Sequence, residues 1–321
     1  MLSVHLEGGR VEVVKGPRPR RRAGHSLVRL DVAGICNTDL ELQRGYYGFR
    51  GRPGHEFVGE VVASDTPELT GKRVTGEINL ACGRCEWCAR GLGRHCPNRT
   101  VLGIVRHPGA FAEYLTLPDQ NLHVVAGRIP SEHAVFTEPV AAACEILDQV
   151  KMRRGEPVAV LGDGKLGLLI AQVLQVSGAK VTLVGRHESK LRIARDAGVS
   201  ETVVAGAALK RAGFPVVVDA TGSREGLAAA VGMVRPRGTV VMKSTIHDAV
   251  ALDMAPVIVN EITLVGSRCG RFEPAMRMLP KLHLAPLIAA RYPLARAPEA
   301  FAAAAEKGTL KVLLEGQAAS G

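Results

Sequence analysis

The stretch VAVLGDGKLGLLIAQVL, residues 158–174, decides the fold. It opens as a short apolar run of the kind that forms a buried strand and closes as an apolar helix, with Gly162, Gly164 and Gly167 spaced G-x-G-x-x-G between. A strand that turns through glycines into a helix is a site for the pyrophosphate of a dinucleotide. Gly162 permits the tight turn, Gly164 lets the backbone approach the phosphates, and Gly167 lets helix and strand close up. Lys165 and Leu166, at the start of the helix, are counted with this site.

Outward from this motif, β-branched runs at 158–161, 181–184, 216–220, 238–243 and 262–266 alternate with alanine- and leucine-rich helical stretches. That alternation predicts an α/β fold with a doubly wound parallel sheet covered by helices. Upstream, to about Asn121, the texture is different: short strands at 27–32, 57–63, 73–78 and 112–117, punctuated by glycine and proline, predict a β-rich domain. Past Pro286 and Pro293 the sequence predicts a helix near 298–307 and a strand at 311–314.

The second strand of the parallel sheet ends as VTLVGRH, where an NAD-specific site would carry an acid for the adenosine ribose. Gly185 and Arg186 stand there instead, and an arginine can pair with a 2′-phosphate, so NADP(H) is favoured over NAD(H). Glu188 is the residue that keeps NAD(H) open.

The chain has 321 residues, 46% of them apolar, which is the composition of a well-cored globular protein rather than a disordered one. No apolar stretch reaches eighteen residues, so a membrane span is not expected. The start lacks a basic region followed by an apolar core, which predicts a cytoplasmic location. The net charge of +10 includes a cluster of Arg18, Arg20, Arg21 and Arg22 beside prolines, without interleaved aromatics. This reads as a basic surface loop, and no nucleic-acid partner is expected.

Seven cysteines in such a chain point to metal ligation before disulfides. Four of them, Cys82, Cys85, Cys88 and Cys96, stand as C-x2-C-x2-C-x7-C in CGRCEWCARGLGRHC, close enough to wrap one tetrahedral zinc. All four positions would be filled by sulfur, so this zinc is structural. An iron–sulfur cluster of the bacterial ferredoxin type needs three residues before its fourth cysteine, and here there are seven. Cys36 in GICNTD and His55 in GHE are a thiolate and an imidazole of ligand type, each of which could equally be a packed core group. Cys144 and Cys269 have no partner at ligand spacing and are read as core packing.

In order along the chain, GICNTD, GHEFVGEV, the four-cysteine lobe, GAFAEYL, TEP and the glycine motif resemble the zinc-containing medium-chain dehydrogenases, and the likeness covers nearly the whole sequence. The resemblance implies a β-rich GroES-like catalytic domain, 1–141 and 271–321, made discontinuous by a Rossmann domain, 142–270. It implies a second, catalytic zinc held by Cys36, His55 and Glu138, with Glu56 as an alternative or supporting carboxylate, so two zinc ions per chain. Three protein ligands leave a fourth position for water or substrate. Thr38 matches the hydroxyl that takes the substrate proton, and Asp39 the carboxylate that orients the ligand histidine.

The Glu138 variant, and Glu41 where other members carry a relay histidine, resemble the polyol, sugar and threonine dehydrogenases. Thr221 and Gly222 match positions near the nicotinamide ribose, although a TG pair is also an ordinary strand-to-helix turn. The activity implied is hydride transfer between a small-molecule alcohol or carbonyl substrate and NADP(H) or NAD(H), in a homodimer or homotetramer. Tyr46, Tyr47 and Phe49 are as plausible for packing as for a substrate pocket. Two rival readings, a non-catalytic dinucleotide-binding or regulatory protein of the same fold and a zinc-containing nucleic-acid binder, leave the open metal trio without a use.

Overall fold

Residues 25–35, HSLVRLDVAGI, bury Val28, Leu30, Val32, Ala33 and Ile35 and form the long strand β1 (His25–Ile35). The computed structural model describes residues 1–206, 212–244 and 250–316. Beyond β1 the chain makes a short helix α1 (Asn37–Gln43) and returns antiparallel to β1 as β2 (Glu56–Ala63), with Gly34 opposite Glu56 and Ala33 opposite Phe57. Strands β3 (Arg73–Gly76), β4 (Tyr114–Pro118) and β5 (Leu122–Val124) follow. The cysteine lobe lies between β3 and β4. It is built from the one-turn helix Glu86–Ala89, the 3-10 turn Gly93–His95 and a small sheet of Asn79–Leu80, Thr100–Leu102 and Arg106–His107.

Helix α2 (Thr137–Gln149) leads into the second unit, whose strands are β6 (Pro157–Leu161), β7 (Lys180–Gly185), β8 (Glu201–Val204), β9 (Phe214–Asp219), β10 (Val234–Met242) and β11 (Thr263–Gly266). They pair in the order β8-β7-β6-β9-β10-β11, every pair parallel, with Val158 beside both Val181 and Val216. The order runs outward in both directions from β6, so this is a doubly wound sheet, and the strand before the glycine turn lies at its centre. Helices α3 (Lys165–Val176), α4 (Glu188–Asp196) and α5 (Arg224–Met233) make the crossovers. Ala159, Leu161, Val217, Val240 and Leu227 meet in its core.

The chain then re-enters the first unit with β12 (Ile288–Pro293), α6 (Ala297–Ala305) and β13 (Lys311–Glu315). Strand β13 pairs antiparallel with β1 and parallel with β12, completing the sheet order β5-β3-β2-β1-β13-β12, with β4 also on β1. Phe301 of α6 packs edge-to-face on Phe111 with ring centres 6.0 Å apart.

The compact units are Met1–Glu138 with Leu287–Gly321, and Pro139–Pro286. This differs from the boundaries expected at 141/142 and 270/271: segment 271–286 packs in the parallel-sheet unit. Phe272, Ala275, Leu279 and Leu284 of this segment are buried, and two polar contacts add to them. Gln172 is buried in the middle of the apolar helix α3, and the His283 backbone satisfies it, the His283 N–H donating to Gln172 Oε1 at 2.7 Å. Arg271 binds Asp148 at 3.1 Å in the same unit. No helix among the described residues is long and apolar enough to cross a membrane.

The turn between β6 and α3 is closed by contact. A Cβ on Gly167 would stand 1.9 Å from the Gly162 carbonyl oxygen. Overpacking of this kind costs about 1–3 kcal/mol. Gly167→Ala is therefore expected to lower the thermal midpoint, and an unchanged midpoint would show that helix and strand are not in contact there.

Candidate metal and dinucleotide sites

The pairing of β1 with β2 decides where the first donor group forms. Cys36 follows the end of β1 and His55 precedes β2, and because Gly34 pairs with Glu56 the two strand ends lie side by side. Cys36 Sγ, one nitrogen of His55 and one carboxylate oxygen of Glu56 lie within 4.8 Å of one another. Asp39, fully buried on α1, ties the two strand ends together. Its Oδ2 accepts the Cys36 N–H at 2.9 Å and its Oδ1 the Gly54 N–H at 3.1 Å. Oδ1 also lies 3.5 Å from His55 Nδ1, a charge contact longer than an ordinary hydrogen bond. Thr38 Oγ1 is 3.8 Å from Cys36 Sγ.

Burial alone would push the His55 imidazole down, but the Asp39 carboxylate, helped by Cys36, carries it well above its usual 6.5. A carboxylate facing Nδ1 orients the ring and leaves the other ring nitrogen to a cation, whose charge the same field favours. Glu56 Oε2 is bound by the ammonium of Lys311, itself buried on β13, whereas Glu56 Oε1 is buried with no hydrogen-bond partner among the described residues. An orphaned carboxylate oxygen beside a thiol and an imidazole fits a zinc ion. Glu138, expected as the third ligand, is buried in the first turn of α2 and stands outside this group; Glu56 is the carboxylate within it. Glu41 forms an ion pair with Arg44 at 2.6 Å.

In the cysteine lobe the sulfurs of Cys82, Cys85, Cys88 and Cys96 gather as free thiols. The separations are 3.9 Å for Cys82–Cys88, 3.5 Å for Cys85–Cys88 and 3.6 Å for Cys85–Cys96. A tetrahedron with zinc–sulfur bonds of about 2.3 Å has edges of about 3.8 Å, and these three separations lie close to that length. The Arg84 backbone N–H pulls Cys82 down to about 6, which leaves a thiolate near neutral pH.

In the second unit Gly162 takes a left-handed φ of 110°, and a Cβ on it would meet the Ala220 carbonyl oxygen at 2.8 Å. Gly164 caps α3, and a Cβ there would meet nothing within 4 Å. The N-terminus of a twelve-residue helix therefore opens, next to Lys165 and Leu166, onto space that fits a pyrophosphate.

Asp163, between the first two glycines of the motif, organises the neighbouring corner. Its Oδ2 accepts the N–H groups of Arg186 and His187, both at 2.7 Å, and lies 3.0 Å from the His187 ring. It also fills the space beside Gly185, where a Cβ would stand 2.6 Å from the Asp163 Cβ. An acid at the end of β7 is thus excluded by an acid already lodged there. Arg186 is left exposed, and Glu188 pairs with Arg195. Thr221 is exposed, its Oγ1 donating to Asp219 Oδ1 at 2.7 Å, and Gly222 follows with φ 67°, the geometry of a strand-to-helix turn. Two residues escaped the sequence reading, Lys311 and Asp163. The signal for each was a charge inside an otherwise apolar run.

A doubly wound sheet with a glycine turn, joined in one chain to a β-rich unit carrying thiolate, imidazole and carboxylate donors, defines the class of zinc-binding, dinucleotide-dependent oxidoreductases. Comparison with known proteins agrees. Residues 22–127 match the alcohol dehydrogenase GroES-like domain, and residues 166–283 match the zinc-binding dehydrogenase domain. The chain is 34% identical over 277 residues to D-altritol 5-dehydrogenase of Agrobacterium fabrum, covering 82% of each protein. It is 31% identical over 330 aligned positions to L-threonine 3-dehydrogenase of Saccharopolyspora erythraea, covering 95% of each. A protein of Sinorhizobium meliloti 1021, described as a zinc-binding dehydrogenase and solved bound to NADP, superposes with a TM-score of 0.90 at 28% identity over 98% of both chains. The chain belongs to the zinc-dependent alcohol dehydrogenase family and is an oxidoreductase.

Burial alone would raise the Asp163 carboxyl, but the N–H groups of His187 and Arg186 and the His187 ring outweigh it and hold the pKa below its usual 3.8. A carboxyl depressed on folding stabilises the fold above its unfolded pKa and stops doing so as pH falls through the lower folded value. Asp163→Asn is expected to unfold at a lower temperature than wild type at pH 7, with the gap closing below about pH 3.8. A gap that persisted unchanged into acid would remove the charge from this account.

Proposed function

We propose that the protein transfers hydride between a hydroxyl of a small polyol, sugar or related alcohol and NADP(H), using one zinc at Cys36, His55 and a carboxylate and a second, structural zinc at Cys82, Cys85, Cys88 and Cys96. The observation that carries the reading is the donor trio of Cys36, His55 and Glu56, its two strand ends fixed by the buried Asp39. Glu56 is the carboxylate in reach in this geometry, and Glu138 is the one family likeness assigns. A protein that only bound a dinucleotide, or only nucleic acid, would have no use for three buried donors of this chemistry.

When bound, zinc supplies Lewis acidity that lowers the pKa of a substrate hydroxyl, and the nicotinamide supplies the hydride acceptor. The chain's own residues do the remaining work. Asp39 holds the Cys36 and His55 segments in register. Thr38 Oγ1, beside Cys36 Sγ, takes the hydroxyl proton. Beyond it Glu41 is engaged with Arg44, so a proton passing that way meets an ion pair rather than a histidine. The N-terminus of α3, with Gly162, Gly164, Lys165, Leu166 and Gly167, receives the pyrophosphate. Arg186 meets the 2′-phosphate, with no acid beside it at position 185 and with Glu188 bound to Arg195. Thr221 and Gly222 shape the turn after β9 near the nicotinamide ribose. D-Altritol 5-dehydrogenase among the relatives supports a polyol; the NADP-bound neighbour supports the cofactor.

A panel of alcohols, polyols, sugars and amino-alcohols with NADP and NAD, followed by nicotinamide absorbance, tests the reading. Turnover of at least one polyhydroxy alcohol is expected, and turnover of none defeats it. Cys36→Ser and His55→Ala should each lose one of two zinc ions by elemental analysis and at least a hundredfold in kcat; full activity in either would reject the assigned role. A charge-assisted hydrogen bond contributes about 1.5–3 kcal/mol. Arg186→Ala should therefore lower kcat/KM for NADP by roughly ten- to a hundredfold while sparing NAD. Wild-type preference for NAD would overturn the 2′-phosphate assignment.

A further inference from the structure

The first unit has a second polar site, distinct from the zinc donors, in a cavity of about 840 Å³. Its lining includes Arg50, Arg52, Arg106, His5 and His107 and contains no carboxylate. Exposed arginines usually need no explanation, because water solvates them. Arg52 is different. Its Nε is buried without a hydrogen-bond partner among the described residues, and burial draws the guanidinium down to about 10. An uncompensated buried cation is costly to a fold. The surrounding charges make this worse rather than better: burial and then the Arg52 charge itself hold His5 below its usual range, and they do the same to His107 against the pull of the Pro108 carbonyl. Two acids lie outside the lining but near it: Glu7, 3.7 Å from Arg50 with both side chains about three-quarters exposed and screened, and Glu12, which faces His5 across the strand pair and partly offsets the downward pull on it.

Backbone strain gathers at the same wall. Tyr47 and Arg106 both line the cavity and both take left-handed φ values, 58° and 50°, without being glycine. Such conformations persist where the surroundings enforce them, and they concentrate at ligand sites. The Arg52 backbone is held as well, its carbonyl accepting the Gly109 N–H at 2.7 Å. No carboxylate lines the cavity, and its guanidinium groups focus a positive field between apolar walls at Ile104 and Val105.

We propose that this cavity binds the phosphate or carboxylate group of a small molecule, with Arg52 as the central donor and Arg50 and Arg106 flanking it. Arg52 precedes the zinc-donor residue His55 by three residues, so their Cα atoms are at most about 11 Å apart. Resting on the function proposed above, the anion is the far end of the substrate, and the preferred substrates are polyol phosphates or sugar acids rather than neutral polyols. A guanidinium meets either group through paired, charge-assisted hydrogen bonds.

Calorimetric titration of the full chain with inorganic phosphate, and separately with acetate, tests the site and tells the two anions apart. Saturable binding of at least one is expected. It should weaken tenfold or more in Arg52→Gln, and measurably in the surface variant Arg106→Ala, but not in Arg186→Ala, which reports the dinucleotide end. Absence of binding to wild type, or equal binding by wild type and Arg52→Gln, overturns the proposal. In turnover, a five-carbon polyol phosphate or a five-carbon sugar acid should exceed the neutral polyol in kcat/KM by at least tenfold, with that ratio collapsing in Arg52→Gln. Turnover of neutral alcohols without any anion binding defeats the cavity assignment alone. Arg52-dependent anion binding without turnover of any alcohol upholds the cavity and defeats the dehydrogenase reading.

Discussion

The buried carboxylate of Asp39 is the constraint from which the first unit's chemistry follows. A fully desolvated acid must be offset by donors, and here the donors are the N–H groups of Cys36 and Gly54, one on each of the two segments that carry the thiol and imidazole of the donor group. The bonds that make Asp39 tolerable in the core therefore also set the spacing of Cys36 and His55. Glu56 poses the same problem one residue further on and is answered differently, by the ammonium of Lys311 on a strand from the other end of the chain. The metal group thus depends on three segments distant in sequence, each held by the need to neutralise a buried charge.

The second unit repeats the device around a different ligand. Asp163 sits within the glycine motif and binds the backbone at the start of α4, so one carboxylate fixes the geometry of the corner after β7. It also occupies the volume beside Gly185 that a side chain would need. The absence of an acid at that position is thus a packing consequence, and Arg186 beside it is left exposed.

Much of this was legible in the sequence because periodicity and spacing are local. The G-x-G-x-x-G turn, the five main strands of the parallel sheet and the four-cysteine lobe each declare themselves within some fifteen residues. What was not legible depended on pairing at long range. Strand β8, Glu201–Val204, lies at a sheet edge with two of its four side chains exposed, so it lacks the buried run that marks its neighbours. Strand β12, Ile288–Pro293, ends in proline and alternates between half-buried and exposed, and read as an irregular approach. The roles of Lys311 and Asp163 required knowing which carboxylate or amide each would meet. The placement of segment 271–286 involves long-range contacts such as the His283 backbone meeting Gln172 across 111 residues, together with the burial of Phe272, Leu279 and Leu284.

The pairing of Glu56 with Lys311 spans 255 positions. At translation rates of 5–20 residues per second, the lysine leaves the ribosome roughly 13–50 s after its partner. Throughout that interval the nascent first unit holds a thiol, an imidazole and two acids with no ammonium among them. Until β13 docks, the Glu56 carboxylate lacks the ammonium that neutralises it in the folded unit, so the first unit can finish closing only after the second has been synthesised.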